Sequence, residues 1–296
     1  MNAAAIDASG AGRRYGRFWA LRECTLSLPP GSITALVGPN GAGKTTLLSL
    51  LAGLLPVSEG RLTVLGQRPA ARPEFLARVG FLAQDCPLYK HYTVADMLHF
   101  GRAMNPRWDD AIARERVAAA GVPPGRRAGK LSGGQRAQVG LALAVAKRPE
   151  LLLLDEPLAA LDPLARRDFL KSLMASTAAT GTTVVLSSHL IGDLARVCDQ
   201  LVVVRAGRLV LAGELDALLT VHHWVAGPRE RTSRLSRAAQ VISHTHHDRH
   251  SRLLVRSEQP LLDPELSVRA VDIEDLVLAY LDEPEPSPTT LIGSPG

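Results

Sequence analysis

Eight consecutive residues, Gly38-Pro39-Asn40-Gly41-Ala42-Gly43-Lys44-Thr45, fit the spacing G-x-x-x-x-G-K-[ST] without a gap. Glycines at those steps let successive backbone N–H groups turn inward around one anion. A helix opening at Lys44, with Thr46 in its first turn, adds the partial positive charge of its N-terminus. Such a loop can hold a nucleoside triphosphate, with Lys44 reaching the β- and γ-phosphates and the Thr45 hydroxyl ligating Mg²⁺. The run 33–37 before the loop reads as a strand and the run after it as a helix, which is the context this motif requires.

A second set of residues narrows the chemistry. Four leucines at 151–154 form an apolar strand that ends in Asp155-Glu156. A carboxylate at the end of a buried strand is placed to hold Mg²⁺, directly or through water. Glu156, one residue on, can polarise the water that attacks a γ-phosphate. Between these two sites lies Leu131-Ser132-Gly133-Gly134-Gln135, followed by a long helical pattern. A hydroxyl and a glycine pair at a helix start form another anion-binding arrangement.

LSGGQ between the phosphate loop and the Leu-Leu-Leu-Leu-Asp-Glu strand resembles the signature of ABC ATPases, and the resemblance covers approximately residues 3–220. It implies that Ser132, Gly133, Gly134 and Gln135 cap the γ-phosphate bound by a second copy, so that hydrolysis of ATP with Mg²⁺ needs a dimer. Tyr15 stands where the family places an aromatic to stack on adenine. Gln84 resembles the family's glutamine that touches Mg²⁺ or the attacking water. Leu161-Asp162 resembles the loop at the dimer contact, and His189 the switch histidine that bonds the γ-phosphate and orients Glu156. Lys44, Gln84, Glu156 and His189 are all present, so an active ATPase is expected.

The elements that must position these residues follow from periodicity. Strand patterns occur at 25–28, 33–37, 61–65, 79–83, 151–154, 183–187, 201–204 and 209–212, the last two joined by an Arg205-Ala206-Gly207-Arg208 turn. Helices are expected after Lys44, Val94, Asp109, Gly134, Pro163 and Leu190. The alternation makes the fold class α/β, and the resemblance implies a P-loop NTPase core of ABC ATPase type with antiparallel β and helical subdomains, followed by a small C-terminal α+β appendage. Residues 1–220 form the ATPase domain, with a helical insertion at about 85–148. Residues 221–282 form the small α+β domain, and 283–296, rich in Pro, Ser and Thr, a disordered tail.

Composition limits the remaining possibilities. The chain has 296 residues, is 46% hydrophobic and carries a formal charge of +5. No apolar run approaches the roughly 18–20 residues of a membrane-spanning helix, and no secretory leader is visible, so a cytosolic chain is expected. Cys24, Cys86 and Cys198 lack paired spacing and read as reduced thiols. Six of the nine histidines fall between His222 and His250; the run from His244 reads as a polar hairpin turn rather than a metal site.

By resemblance the partners are a second copy or a homologous ATPase subunit, together with separate transmembrane permease subunits, on the cytoplasmic face of the membrane. Leu88-Tyr89, Thr93-Val94, Asn105-Pro106-Arg107-Trp108 and the 273–281 helix resemble ABC-2-type exporters and imply export. The competing class is a soluble ABC ATPase acting on nucleic acid or ribosomes. Its translation-factor relatives carry two cassettes, and its chromosome and repair relatives a long coiled coil; this chain has one of each motif and no heptad run. Nucleic acid is not the expected partner.

Overall fold

The computed structural model describes residues 4–235, 239–247, 250–261 and 263–282; the expected tail at 283–296 lies outside them. The chain opens with β1 (Ile6–Tyr15), β2 (Phe18–Leu28) and β3 (Ile33–Val37), then α1 (Lys44–Leu51), β4 (Glu59–Val64), α2 (Pro73–Leu76) and β5 (Val79–Leu82). Helices α3 (Val94–Met104) and α4 (Asp110–Ala119), a 3₁₀ turn (Ala128–Lys130) and α5 (Gly133–Ala146) follow. Next come β6 (Leu151–Leu154), α6 (Pro163–Thr180), β7 (Thr183–Ser188), α7 (Ile191–Leu194), β8 (Gln200–Arg205) and β9 (Arg208–Glu214). The C-terminal part comprises α8 (Leu215–Val221), β10 (His222–Pro228), α9 (Arg229–Leu235), β11 (Gln240–His247), β12 (His250–Arg256), β13 (Ser267–Ala270) and α10 (Ile273–Asp282).

The central sheet has the order β5-β6-β7-β3-β8-β9, parallel except for β9, which returns antiparallel from β8. Its strands are apolar on both faces because both faces are covered. Leu152 and Leu154 point to the layer that holds α5 and α6, while Leu151 and Leu153 point to the layer of α1 and the antiparallel sheet β2-β1-β4. Successive strand residues face opposite ways, so the Leu-Leu-Leu-Leu run serves two cores at once. The β8–β9 turn places Ala206 and Gly207 at φ 47° and 76°, the left-handed pair of a two-residue hairpin.

Helix ends follow their local signals. Thr93 and Asp96 make a reciprocal capping box at α3, Asp109 caps α4, and Asp162 with Pro163 opens α6, which Gly181 ends at φ 65°. Between β5 and β6 the described residues form helices and no strand, as the sequence pattern predicts. The antiparallel sheet is more extensive than predicted. β1 was not visible in the pattern because Gly10, Gly12, Arg13 and Arg14 break the apolar alternation that Ile6 and Ala8 begin.

The C-terminal sheet has the order β11-β12-β10-β13. On one face Val225, Leu253, Val255 and Leu266 form a small core with Leu235 of α9. On the other, Ile242 and Leu254 join Ile273, Leu276, Val277 and Tyr280 of α10 in the same cluster as Leu194, Leu201 and Leu218. α10 is therefore packed between the small sheet and the large one. The three cysteines are buried free thiols, and burial pushes Cys24 and Cys86 up to about 11 and Cys198 to about 12.

Fully buried His222 ties these layers together. Its Nδ1 lies 2.6 Å from the Leu218 carbonyl oxygen and must donate; its Nε2, 2.9 Å away, then accepts from the Tyr280 hydroxyl. Burial holds the imidazole neutral and lowers its pKa from 6.5 to about 4. The unfolded chain takes up a proton below about 6.5 that the folded chain refuses until about 4. Stability is thus complete above 6.5 and falls as pH drops through that window, by about 3 kcal/mol from this group. Denaturant unfolding of wild type and His222→Asn should show the wild-type advantage shrinking between pH 7 and pH 4.5; a pH-independent difference would refute the assignment.

Candidate nucleotide site

The 38–43 loop joins the C-terminal end of β3 to α1. A β-carbon at Gly38 would collide with the Val204 carbonyl oxygen, so the loop lies directly against β8. Gly41 sits in open space and is needed for its φ of 79°; Gly43 combines a φ of 111° with an Ala20 carbonyl 2.7 Å from where a β-carbon would stand. The Gly207 N–H donates to the Ala42 carbonyl and the Arg22 N–H to that of Gly207. The β8–β9 turn and β2 thereby brace the loop from behind.

Strand order gathers the remaining groups. β7 lies between β3 and β6, with Ser188 opposite Val37 and Leu186 opposite Leu154, so the C-terminal ends of all three coincide. There, Lys44 Nζ donates to the Gly38 carbonyl at 2.7 Å and lies 3.2 Å from Glu156 Oε1. The other Glu156 oxygen, Oε2, is 2.8 Å from His189 Nδ1. Lys44 and Glu156 are 6% and 7% exposed, whereas His189 is about half exposed. Thr45 Oγ1 donates to Asp155 Oδ2 at 2.7 Å. The geometry thus brings Lys44, Thr45, Asp155, Glu156 and His189 into one constellation.

Ser187, which sequence reasoning missed, organises the two carboxylates. Its fully buried hydroxyl donates to Asp155 Oδ1 at 2.7 Å and accepts the Glu156 N–H at 2.8 Å. Glu156 adopts φ 47°, a left-handed conformation that costs about 1–3 kcal/mol in a residue with a side chain. The Ser187 bond is one of the contacts that holds it there. A serine inside a predicted strand carries no sequence signal of its own; only the strand order reveals the role.

The other predicted residues lie apart from this cluster. Gln84 is exposed just past β5, which ends at Leu82 rather than residue 83. Two residues on, Cys86 adopts φ 41°, and its Sγ lies 3.2 Å from the Arg136 carbonyl of α5. A β-carbon at Gly140 would strike that sulfur. Ser132 caps α5, accepting the Gln135 N–H at 3.2 Å while Gln135 Oε1 accepts the Ser132 N–H at 3.3 Å. Gly133 and Gly134 lie against Ala160 and Leu161. Asp162 accepts from the Leu164 and Ala165 N–H groups. Among the described residues, no recorded hydrogen bond or ion pair joins 132–135 to the phosphate loop. Tyr15, 46% exposed, ends β1 with the Arg13 guanidinium 4.8 Å from its ring centre.

Removing the Ser187 hydroxyl leaves the Asp155 oxygen and the Glu156 N–H without that partner in a buried site. Ser187→Ala is expected to destabilise the protein by about 1–3 kcal/mol; a urea midpoint equal to wild type would contradict the bridging role.

Residues 21–159 match the ABC transporter family. An Fe(3+) ions import ATP-binding protein of Pseudomonas fluorescens is 39% identical over 216 residues, covering 71% of this chain, and the chain spans 61% of that relative's length. A protein of the same description from Rhodococcus jostii is 34% identical over 297 residues, covering 92% of this chain and 85% of its own. A sulfate/thiosulfate import ATP-binding protein of Agrobacterium fabrum is 36% identical over 221 residues, covering 71% of this chain and 64% of its own. Among solved structures, the ATP binding subunit of an ABC transporter superposes with a TM-score of 0.65 at 23% identity, covering 73% of this chain and 92% of its own. A dimeric bacterial ABC transporter cassette gives 0.64 at 23% identity, over 71% and 98%. Similarity over 92% of this chain and 85% of one relative, on top of a glycine-rich loop whose lysine meets a buried glutamate, places the chain in the ABC transporter family of ATP-binding proteins, with an ATPase domain of the ABC type.

Proposed function

We propose that this chain hydrolyses ATP as one half of a dimer and thereby drives transport through separate membrane-spanning subunits at the cytoplasmic face of the membrane. The observation that carries the reading is the buried Glu156 carboxylate held between Lys44 and His189 beside the phosphate loop. Glu156 takes the proton of the attacking water, and His189, bonded to Oε2, keeps the carboxylate aimed at it. Lys44 turns from Glu156 to the phosphates, which frees Oε1 for that proton and meets the charge on the phosphoryl group as the bond to the leaving diphosphate breaks.

The residues fit Mg²⁺ as well. Thr45 and Asp155 offer hard oxygen donors already 2.7 Å apart, and Mg²⁺ held with a nucleotide takes one or two protein oxygens rather than a full cage. Held by Thr45 and Asp155, such an ion would supply positive charge to offset that of the phosphate groups. Gln84 is proposed to reach toward it from the exposed segment beyond β5, and Tyr15 to stack on the base.

The exposed Ser132 and Gly133 and the half-buried Gly134 at the start of α5 are proposed to meet the phosphate of a second copy or a homologous subunit, with Asp162 and the exposed Leu164 in the contact. Among the described residues no helix is long and apolar enough to cross a membrane. A groove of about 440 Å³ beside Gln84 is lined by Leu82, Cys86, Tyr89, Met97, Phe100 and Gly140. Tyr89 is 58% exposed and stacks near Tyr92 and Phe100. We assign this groove to a cytoplasmic segment of the membrane subunit, because exposed aromatic clusters mark interaction sites. The export direction expected from the sequence finds no support in the relatives, whose names describe import; those names also speak against the nucleic-acid reading.

Glu156→Gln should retain ATP binding and lose at least about 100-fold in phosphate release, the scale of a lost general base; turnover at the wild-type rate would refute the assignment. Tyr89→Ala should leave basal ATPase activity of the isolated chain intact while abolishing co-purification of a polytopic membrane protein from gently solubilised membranes. Retention of that partner would place its docking surface elsewhere.

A further inference from the structure

Helix α7 begins two residues after His189 and is only four residues long, with no side-chain cap at its N-terminal end. So short a helix does not hold itself in place, and the position of His189 depends on what packs against α7. Leu194 is fully buried, in one cluster with Ile273, Leu276 and Val277 of α10, and Leu190 and Ile191 pack on the same cluster. Gly192 lies close to the Glu274 carboxylate. On another side Asp193 pairs with Arg166 of α6 at 3.6 Å.

α10 in turn is anchored at several points. The Arg205 guanidinium of β8 donates to the Tyr280 carbonyl at 2.9 Å, Tyr280 bonds His222, and the Trp224 indole of β10 donates to Asp275 at 2.8 Å. The Arg252 guanidinium stacks 3.9 Å from the Trp224 ring centre. The small sheet therefore grips α10, and α10 backs the segment that carries His189.

We propose that α10 positions the switch segment 189–194, with Leu276 as the central positioning residue, so that the C-terminal sheet controls how well His189 holds Glu156. The inference rests on the role given to His189 above. Any partner that shifts the small sheet would act on hydrolysis through this contact rather than through nucleotide binding.

The test uses the full chain with Leu276→Ala, Leu276→Met and, as a control on the exposed face of the same helix, Leu278→Ala. In Leu276→Ala, amide exchange at Val197 and Cys198, which donate to the Leu194 carbonyl, should accelerate at least about tenfold. Exchange in β3 and β7 should stay at the wild-type rate. The same variant should lose about tenfold in kcat with KM for ATP unchanged, the signature of an interaction that acts in the transition state. Leu276→Met should restore both readouts and Leu278→Ala should alter neither.

Wild-type exchange at 194–198 in Leu276→Ala, uniform loosening that includes the central sheet, or an unchanged kcat would each overturn the proposal. Should the wild-type chain itself fail to hydrolyse ATP, the functional reading falls. The exchange pattern then decides by itself whether α10 holds the segment.

Discussion

Lys44 and Glu156 are both almost wholly buried, and a lone ion of either sign in that position would cost several kcal/mol. Each therefore requires the other, and that requirement constrains much of the cassette. The lysine comes from the start of α1 and the glutamate from the end of β6. For the two to meet at 3.2 Å, β3, β7 and β6 must run parallel with their C-terminal ends level. The serine of β7 then falls where the Asp155 carboxylate and the Glu156 backbone N–H both need a partner.

The site was legible where its chemistry demands neighbouring residues. Phosphate binding uses consecutive backbone N–H groups, so Gly38 to Thr45 announces itself, and Asp155-Glu156 is marked by the leucines before it. Ser187 was not legible, since its role arises from the alignment of three strands that are distant in sequence. Nor was β1, whose arginines and glycines hide a strand that pairs on both sides, with β2 and β4. The C-terminal region could be read as a small α+β unit with a helix at 273–281. Its fusion with the main core could not, because a buried leucine such as Leu276 looks the same whichever core it enters.

That fusion alters what the small sheet is. A module tethered by a linker would have its own core and a polar face toward the rest of the chain. Here only the α9 side carries a separate core, and the α10 side continues the cluster that begins at the central sheet. The side chains that hold the junction are polar as well as apolar. Arg205, His222 and Trp224 each bond to α10 at a defined distance, so the docking is directional rather than a loose contact of greasy surfaces.

The contact between Cys86 and Gly140 carries a consequence for divergence. The sulfur occupies the space that a methyl group at 140 would need, and Leu82 also closes in at 2.7 Å. In descendants of this sequence the two positions are not free to drift separately. A larger residue at 140 becomes tolerable only after 86 has shrunk, and Gly140 must persist for as long as a thiol or anything bulkier fills the other site. The order of substitutions is thereby restricted, since a side chain at 140 needs both Cys86 and Leu82 to give way first.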